Sequence, residues 1–398
     1  MLTYSFYEED TRVEQYAKSL RKRGDSVDVI ALRREGLPKF ETVDGVNVYR
    51  IQERVRDERG PFTFVLRIMR FFFHSAWLIS RKHIAKPYHF IHVHSVPDFL
   101  VFAALIPKLR GVPVILDIHD ILPEFYSSKF NKNSRSLAFK FLLLVERASA
   151  AFSDHVLIAN HLWHQRLLSR SVRAGKCTTI RNYPDPVRFV VRPKERNDGK
   201  FLVMYPGTLN FHQGLDIAIR AFAKIRSQLP NAEFHIYGEG PTEPQLVSLA
   251  AELGLNGAVK FRDCVPVEQI ARLMADADLA VVPKRASSSF GSEAASTKVF
   301  EFLALGVPVI VSRTKIDCSY FGESTVKFFE SENVDDLARC MLQLVQDQPL
   351  RSEFAKNGLE YAQQNSWDVK QQDYFRVVDS MVPNSGSTLQ AIPSTHGN

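Results

Sequence analysis

Long apolar runs are missing from this chain of 398 residues. No stretch of 18 or more uncharged apolar residues occurs, so no membrane-spanning helix is expected. Cysteine is scarce. Cys177, Cys264, Cys318 and Cys340 stand far apart and make no metal-ligand spacing, which argues against zinc ribbons and disulfide frameworks. They read as reduced thiols in a cytoplasmic protein. The first residues, Met-Leu-Thr-Tyr-Ser-Phe-Tyr-Glu-Glu-Asp, lack the basic and apolar regions of a signal peptide. Two phosphate-handling patterns are absent as well. There is no Gly-x-x-x-x-Gly-Lys-Ser/Thr loop and no Gly-x-Gly-x-x-Gly after the first strand, so ATPase and dehydrogenase readings lose their main support. Acidic residues are absent between Pro61 and Pro97.

What is there suits a globular protein. Apolar residues make up 45% and charged residues 24%, and the length favours two domains. The net charge of +7 is uneven. Residues 1–185 carry 29 Lys/Arg against 19 Asp/Glu, or +10, and the remainder carries 22 against 25, or −3. Such a basic half suits anionic lipid, a polyanion or plain solvation, and charge alone does not choose. Residues 65–86, Val-Leu-Arg-Ile-Met-Arg-Phe-Phe-Phe-His-Ser-Ala-Trp-Leu-Ile-Ser-Arg-Lys-His-Ile-Ala-Lys, predict an aromatic, basic helix. That composition fits the surface of an anionic membrane, the alternative being a core helix with basic edges.

The first half alternates strand patterns (Val27–Leu32, Phe90–His94, Val112–His119, His155–Ala159) with helical stretches at about 11–23, 98–109 and 134–151. After Asn182-Tyr-Pro-Asp-Pro and a polar run from Arg192 to Lys200, a second series follows. Its strands are Phe201–Tyr205, Glu233–Tyr237, Val259–Phe261, Leu279–Val282 and Val307–Val311, with helices at about 214–228, 242–253, 267–275 and 297–305. The pattern predicts an α/β protein of two Rossmann-like parallel-sheet domains facing across a cleft. The tail from Pro383, rich in Ser, Pro, Gly and Asn, is expected to be disordered.

The candidate chemistry centres on two glutamates, Glu293 and Glu301, with seven residues between them. The second falls on a short helix ending at Gly306; the first precedes it among small residues. A helix N-terminus between two carboxylates suits a diphosphate with a hydroxyl-rich group at each end. Eight residues of helix advance about 12 Å, comparable to the span from sugar to ribose in a nucleotide sugar. Gly207-Thr-Leu-Asn-Phe-His-Gln-Gly214 and Gly238-Glu-Gly240 follow strands of the same half, where ligands of open α/β sheets bind; a tight βα turn is the plainer reading of each. In the first half His119 ends a buried strand beside Asp120 and ahead of Glu124, so it is expected to face the cleft. Of His92 and His94 on the neighbouring strand, one is expected to be buried. Asp117, His119, Asp120 and Glu124 match no structural zinc pattern, so no metal is expected.

These residues resemble the family-4 retaining glycosyltransferases of the GT-B fold over about residues 1–380, and within them a subset acting in polysaccharide assembly. The Glu293-to-Glu301 element followed by Ala304-Leu-Gly-Val-Pro-Val-Ile is its most specific part. Gly207–Gly214, Tyr237-Gly-Glu-Gly-Pro, Phe261-Arg-Asp-Cys-Val and Ala277-Asp-Leu-Ala-Val-Val-Pro support it, as do His92-Val-His-Ser-Val-Pro-Asp and Leu116-Asp-Ile-His-Asp-Ile-Leu-Pro-Glu in the first half. The resemblance implies an acceptor-side domain at 1–190, a nucleotide-sugar domain at 191–366, a helix at 367–382 crossing back, and a tail at 383–398. It implies that Glu293 contacts donor-sugar hydroxyls and Glu301 the ribose. Amides near Ser296 and Thr297 would bind the diphosphate, and backbone near Arg262 and Asp263 would read the base. His119 would reach the sugar from the other domain, with His94, Asp120 and Glu124 on the acceptor side.

Two departures stand out. Many relatives carry an Arg and a Lys in the loop matching Gly207–Gly214, where this chain has Thr208 and Gln213. Lys284, Arg285 and Lys298 are the candidate replacements. The usual glycine-rich loop after the first strand is missing or replaced by Ser5–Glu9, because the chain is expected to enter near that strand's end. The resulting expectation is a metal-independent retaining transfer from a nucleoside-diphosphate sugar to a glycan or lipid-linked acceptor. Such an enzyme would be cytoplasmic, peripheral on the inner face of the cell membrane, and would have no nucleic-acid partner. A nucleotide-sugar epimerase of the same fold and a non-catalytic scaffold are the rival readings.

Overall fold

The computed structural model describes residues 1–54, 61–130 and 136–382, so the tail from Pro383 lies outside the described residues. Two sheets organise the chain. The first contains β1 (Leu2–Phe6), β2 (Asp28–Arg33), β3 (Phe40–Val43), β4 (Val46–Glu53), β5 (Ile91–His94), β6 (Val114–Ile118), β7 (His155–Ile158) and β8 (Cys177–Thr179). The second contains β9 (Phe201–Pro206), β10 (Ala232–Tyr237), β11 (Val259–Arg262), β12 (Leu279–Val282), β13 (Val309–Ser312) and β14 (Lys327–Phe329). Their spatial orders are β3-β4-β2-β1-β5-β6-β7-β8 and β11-β10-β9-β12-β13-β14.

Every pairing is parallel except the β3–β4 hairpin. Helices cover both faces, which is why strands such as β12 (Leu-Ala-Val-Val) and β13 (Val-Ile-Val-Ser) are buried at every position. In the second sheet the order of strand addition reverses between the parallel neighbours β9 and β12. Their following loops open the crevice where such sheets bind ligands.

Several elements differ from the sequence reading. β1 is a five-residue strand at the centre of its sheet, between β2 and β5, rather than the end of one. The β3–β4 hairpin was not read, although its Asp44-Gly45 turn has both residues in the left-handed region (φ 51° and 78°), as a two-residue hairpin turn requires. The stretch expected as one helix over 98–109 is a 3₁₀ segment, Asp98–Ala104, followed by a short α-helix, Leu105–Leu109. Also unread was the helix His161–Arg170, N-capped by Asn160, whose Oδ1 accepts from Trp163 N at 2.9 Å.

The helix Trp367–Met381 packs on the first helix, Thr11–Arg23. Trp367 Nε1 donates to Ser19 Oγ at 2.7 Å, and the Tyr374 hydroxyl lies 3.0 Å from His92 Nδ1. Trp367, Tyr374, Val377 and Val378 thereby join Tyr7, Val13, Tyr16 and Ile115 in one apolar cluster of the first domain.

Candidate functional site

The loop after β12 carries the glutamate pair, but not on one helix. Glu293 closes a short helix of its own, Ser289–Glu293, and Glu301 lies in the next, Thr297–Ala304. The interval is therefore two helical pieces joined through extended residues at 294 and 296, and the continuous 12 Å advance does not apply.

Glu293 is gripped from the other domain. Both its oxygens accept from Arg166 Nη2 at 2.6 Å, and its carbonyl accepts from Asn160 Nδ2 at 3.1 Å. Phe290, one turn earlier, sits in the first domain's apolar cluster against Trp163 and Phe125. Arg166 also donates to Glu124 at 3.1 Å, and Glu124 is held by Arg170 as well, with Glu146 on Arg170's far side. Burial alone would raise the Glu124 carboxyl, but its bonds to Arg170 and Arg166 take it below the usual range. Glu124 is thus the centre of an ion-pair network. Arg166 and Arg170 share one face of the unread helix by their spacing of four, a signal visible only once that helix is recognised.

The loops after β9, β10 and β12 stack on one another. A Cβ on Gly238 (φ 140°) would lie 2.0 Å from Gly207 O, and one on Gly240 2.4 Å from Leu209 O. At Gly214 (φ 66°) it would lie 2.0 Å from Pro283 O. What approaches these three glycines is protein backbone.

Gly207 makes room for Lys298 instead, whose Cε is 2.2 Å from where its Cβ would be. Lys298 Nζ stands 5.2 Å from the Tyr205 ring centre. Burial brings its ammonium down to about 8, with Glu301 opposing and Lys284 adding to the shift. Burial brings Glu301 up to about 7 against the pull of Lys298 and a bond from Thr297.

Lys284 and Arg285 are already matched. Lys284 Nζ meets Asp317 at 2.8 Å and Ala294 O at 2.7 Å inside the domain. Arg285 binds both oxygens of Asp216 at 2.8 and 2.6 Å and Glu332 at 2.9 Å. Neither is a replacement for the missing basic pair; both hold the β12 loop in place. Thr208 is exposed, and its carbonyl accepts from the Tyr205 hydroxyl at 3.1 Å. Gln213 Nε2 contacts His212 Nε2 at 3.2 Å, while its Oε1 is buried without a partner. His212, not singled out by the sequence, is taken down to about 4 by burial and by the charges of Lys298 and Lys284. Ser296 holds the N-cap position before Thr297, buried, with an unpartnered Oγ. Arg262 and Asp263 are exposed at the end of β11, where Arg262 O accepts from Gly238 N at 2.9 Å.

On the first domain, Asp117, the penultimate residue of β6, is fully buried. Arg12 binds it through Nε and Nη2 at 2.8 and 2.7 Å. The same Oδ2 faces His94 Nδ1 at 3.1 Å and His119 Nε2 at 3.2 Å. Burial opposes the charge on Asp117, yet Arg12 and His119 outweigh it and hold the carboxyl well below its ordinary value. His119 runs the other way: burial lowers it, the Asp117 carboxylate more than compensates, and the imidazole is raised. His94 is 0% exposed and lowered by burial, so it belongs to the interior and not to an acceptor surface. His92 is buried too.

Among the described residues, His92, His94 and Asp117 alone group with metal-ligand spacing, and a cation there would face the Arg12 guanidinium on both Asp117 oxygens. His119, Asp120, Asn160 and Arg181 from the first domain and Thr297 and Phe300 from the second line a cavity of about 40 Å³, room for a few waters and not a hexose. Burial raises the Asp120 carboxyl there.

Two parallel-sheet, helix-covered domains with a cleft at their strand ends define the GT-B class of fold. The family described as "Glycosyl transferases group 1" matches residues 188–361, and "Glycosyl transferase 4-like domain" matches residues 10–183. The chain belongs to the family-4 glycosyltransferases. It is 25% identical over 310 residues to an uncharacterized glycosyltransferase, MJ1607, of Methanocaldococcus jannaschii, covering 74% of each chain. It is 26% identical over 162 residues to the amylovoran biosynthesis glycosyltransferase AmsK of Erwinia amylovora, covering 41% of this chain and 40% of that protein. The fold matches HepE of Anabaena, solved with UDP and glucose, at a TM-score of 0.70 and 18% identity over 95% of this chain and 98% of the other.

Proposed function

We propose that this glycosyltransferase moves a sugar from a nucleoside diphosphate to an acceptor hydroxyl with retention at the anomeric carbon, in polysaccharide or lipid-linked glycan assembly. The observation that carries the reading is the setting of the glutamate pair. Glu293 precedes and Glu301 follows the N-terminus of helix Thr297–Ala304, and Ala295, Thr297 and Phe300 between them line a cavity walled by both domains. Glu301 would take the ribose and Glu293 the sugar. The intervening amides, with Lys298, would meet the diphosphate, and Arg262 and Asp263 lie at the strand end where the base would rest. His119 would approach the sugar from the other domain, with Asp120 near the acceptor.

Negative charge gathers on the departing diphosphate, so catalysis would rest on fixed dipoles and cations aimed at it, with no metal required. The likeness to AmsK and to HepE supports a glycan product and a nucleotide-sugar donor. Surface chemistry supports a lipid-linked acceptor at an anionic membrane. The helix Pro61–Ala85 packs inward through Ile68, Phe71 and Ile79, while Phe73, Trp77 and Ile84 stay exposed at 63, 54 and 61%. The adjoining Leu105, Ile106 and Leu109 are exposed also. Among the described residues no helix is long and apolar enough to cross a membrane.

The test is turnover of UDP-, GDP- and ADP-sugars with a lipid-linked glycan acceptor, the product's anomeric configuration being read by NMR. Retained configuration and full activity in EDTA are expected. Inversion, or loss in EDTA restored by Mg²⁺, would sink the proposal; an epimerised donor formed without acceptor would favour the epimerase.

A further inference from the structure

We propose that Arg181 is the phosphate-binding residue of the donor site, standing in for the basic pair absent at Thr208 and Gln213. The proposal rests on the nucleotide-sugar reading above and adds the residue that reading lacks.

Arg181 follows β8 on the way to the second domain. Its Nε donates to the Tyr183 hydroxyl at 3.3 Å, its Nη1 to the Tyr361 hydroxyl at 3.2 Å and its Nη2 to Asn365 Oδ1. The guanidinium carbon lies 4.6 Å from the Tyr320 ring centre, 5.0 Å from that of Tyr183 and 5.2 Å from that of Phe300. Every one of these partners is neutral. Among the described residues no carboxylate lies within ion-pair distance of Arg181. The buried arginines are matched, Arg12 by Asp117, Arg50 by Glu8 and Glu41 and Arg285 by Asp216, and Arg166 and Arg170 meet Glu293 and Glu146.

A largely desolvated cation without a counter-ion is unfavourable, and an anionic ligand is the natural complement. A guanidinium carries five N–H groups, and the three bonds made here leave one on each terminal nitrogen. That pair is the fork that meets phosphate oxygens two at a time.

Position gives the second argument. Arg181 lines the same cavity as His119 and Thr297, and Phe300, beneath its guanidinium, is one turn along the helix that Thr297 begins. Helix N-termini leave amide hydrogens unpaired, and the N-cap residue here, Ser296, is itself buried with an Oγ that nothing in the protein meets. Asp120, the acidic group of the cavity, is displaced by burial towards its neutral form. Aromatic walls and the Tyr361 and Asn365 bonds fix the guanidinium before any ligand arrives, so little ordering remains for binding.

The experiment is calorimetric titration of the full chain with UDP, GDP and ADP, with their nucleosides, and with inorganic pyrophosphate. Arg181→Gln should weaken the preferred nucleoside diphosphate roughly 10- to 100-fold, the scale of a charge-assisted bond, and leave the nucleoside's affinity unchanged. Arg181→Lys should recover part of the loss. Unchanged diphosphate affinity, or an equal loss for nucleoside and diphosphate, would overturn the assignment and leave Arg181 a packing residue. Should Arg181→Gln not fold, the same comparison is read on Arg181→Lys, where a loss confined to the diphosphate supports the proposal and no such loss overturns it. If the wild type binds neither a nucleoside diphosphate nor pyrophosphate, the donor reading itself falls, and this assignment with it.

Discussion

Lys298 and Glu301 share a face of one short helix, and burial has moved each towards neutrality, to about 8 and about 7. A diphosphate favours the protonated ammonium, so donor affinity should fall as pH rises through about 8 and Lys298 loses its charge. Titrating affinity against pH checks this, and Lys298→Arg should push the alkaline limb upward; a limb that stays in place would exclude Lys298 from the diphosphate. Asp117 works at the same scale. Replacing it with Asn leaves Arg12 charged and buried without its partner, which should cost about 3–5 kcal/mol on chemical denaturation. His119 should then titrate lower by NMR, because the carboxylate that raises it is gone.

Residue by residue, the sequence offered candidate positions and said little of the partners their side chains would meet. Glu293, Glu301 and His119 could be picked out from spacing and strand ends. That Arg166 would cap Glu293, or that Asp216 and Asp317 would neutralise Arg285 and Lys284, depends on contacts between residues separated by up to 127 positions, which no local pattern encodes.

At the scale of elements, strand positions were legible because buried parallel strands are nearly continuous apolar runs. The β3–β4 hairpin and the helix His161–Arg170 escaped because the first is partly exposed and the second is polar along much of its length. The helix Pro61–Ala85 shows both faces of the problem. Its sequence predicted a basic, aromatic helix, and the structure divides it into a core-packed edge and an exposed apolar one. Phe73→Ser with Trp77→Ser should leave folding intact, since both side chains are largely solvated, and reduce binding to phosphatidylserine vesicles by at least about tenfold in co-sedimentation. Unchanged binding would assign that face another role.

For the molecule as a whole, the bond between Arg166 and Glu293 joins the two domains directly. The interdomain cavity lined by His119 and Thr297 holds about 40 Å³, so a sugar requires the domains to part or the loop to yield. Arg166→Met should therefore shift the donor-free protein towards an open form, seen as a larger radius of gyration in small-angle scattering. It should also weaken catalysis, because Glu124 and Glu293 would repel each other when the cleft closes. A radius identical to wild type would show that closure does not depend on this pair.

The helix Trp367–Met381 has a bearing on how the protein is made. It contributes Trp367 and Tyr374 to an apolar cluster otherwise built from the first 180 residues. On a ribosome those early residues emerge long before their final partners do. The leading half must therefore wait, with Tyr16 and its neighbours uncovered, until this helix leaves the exit tunnel, so its folding is completed by residues made about 190 positions later.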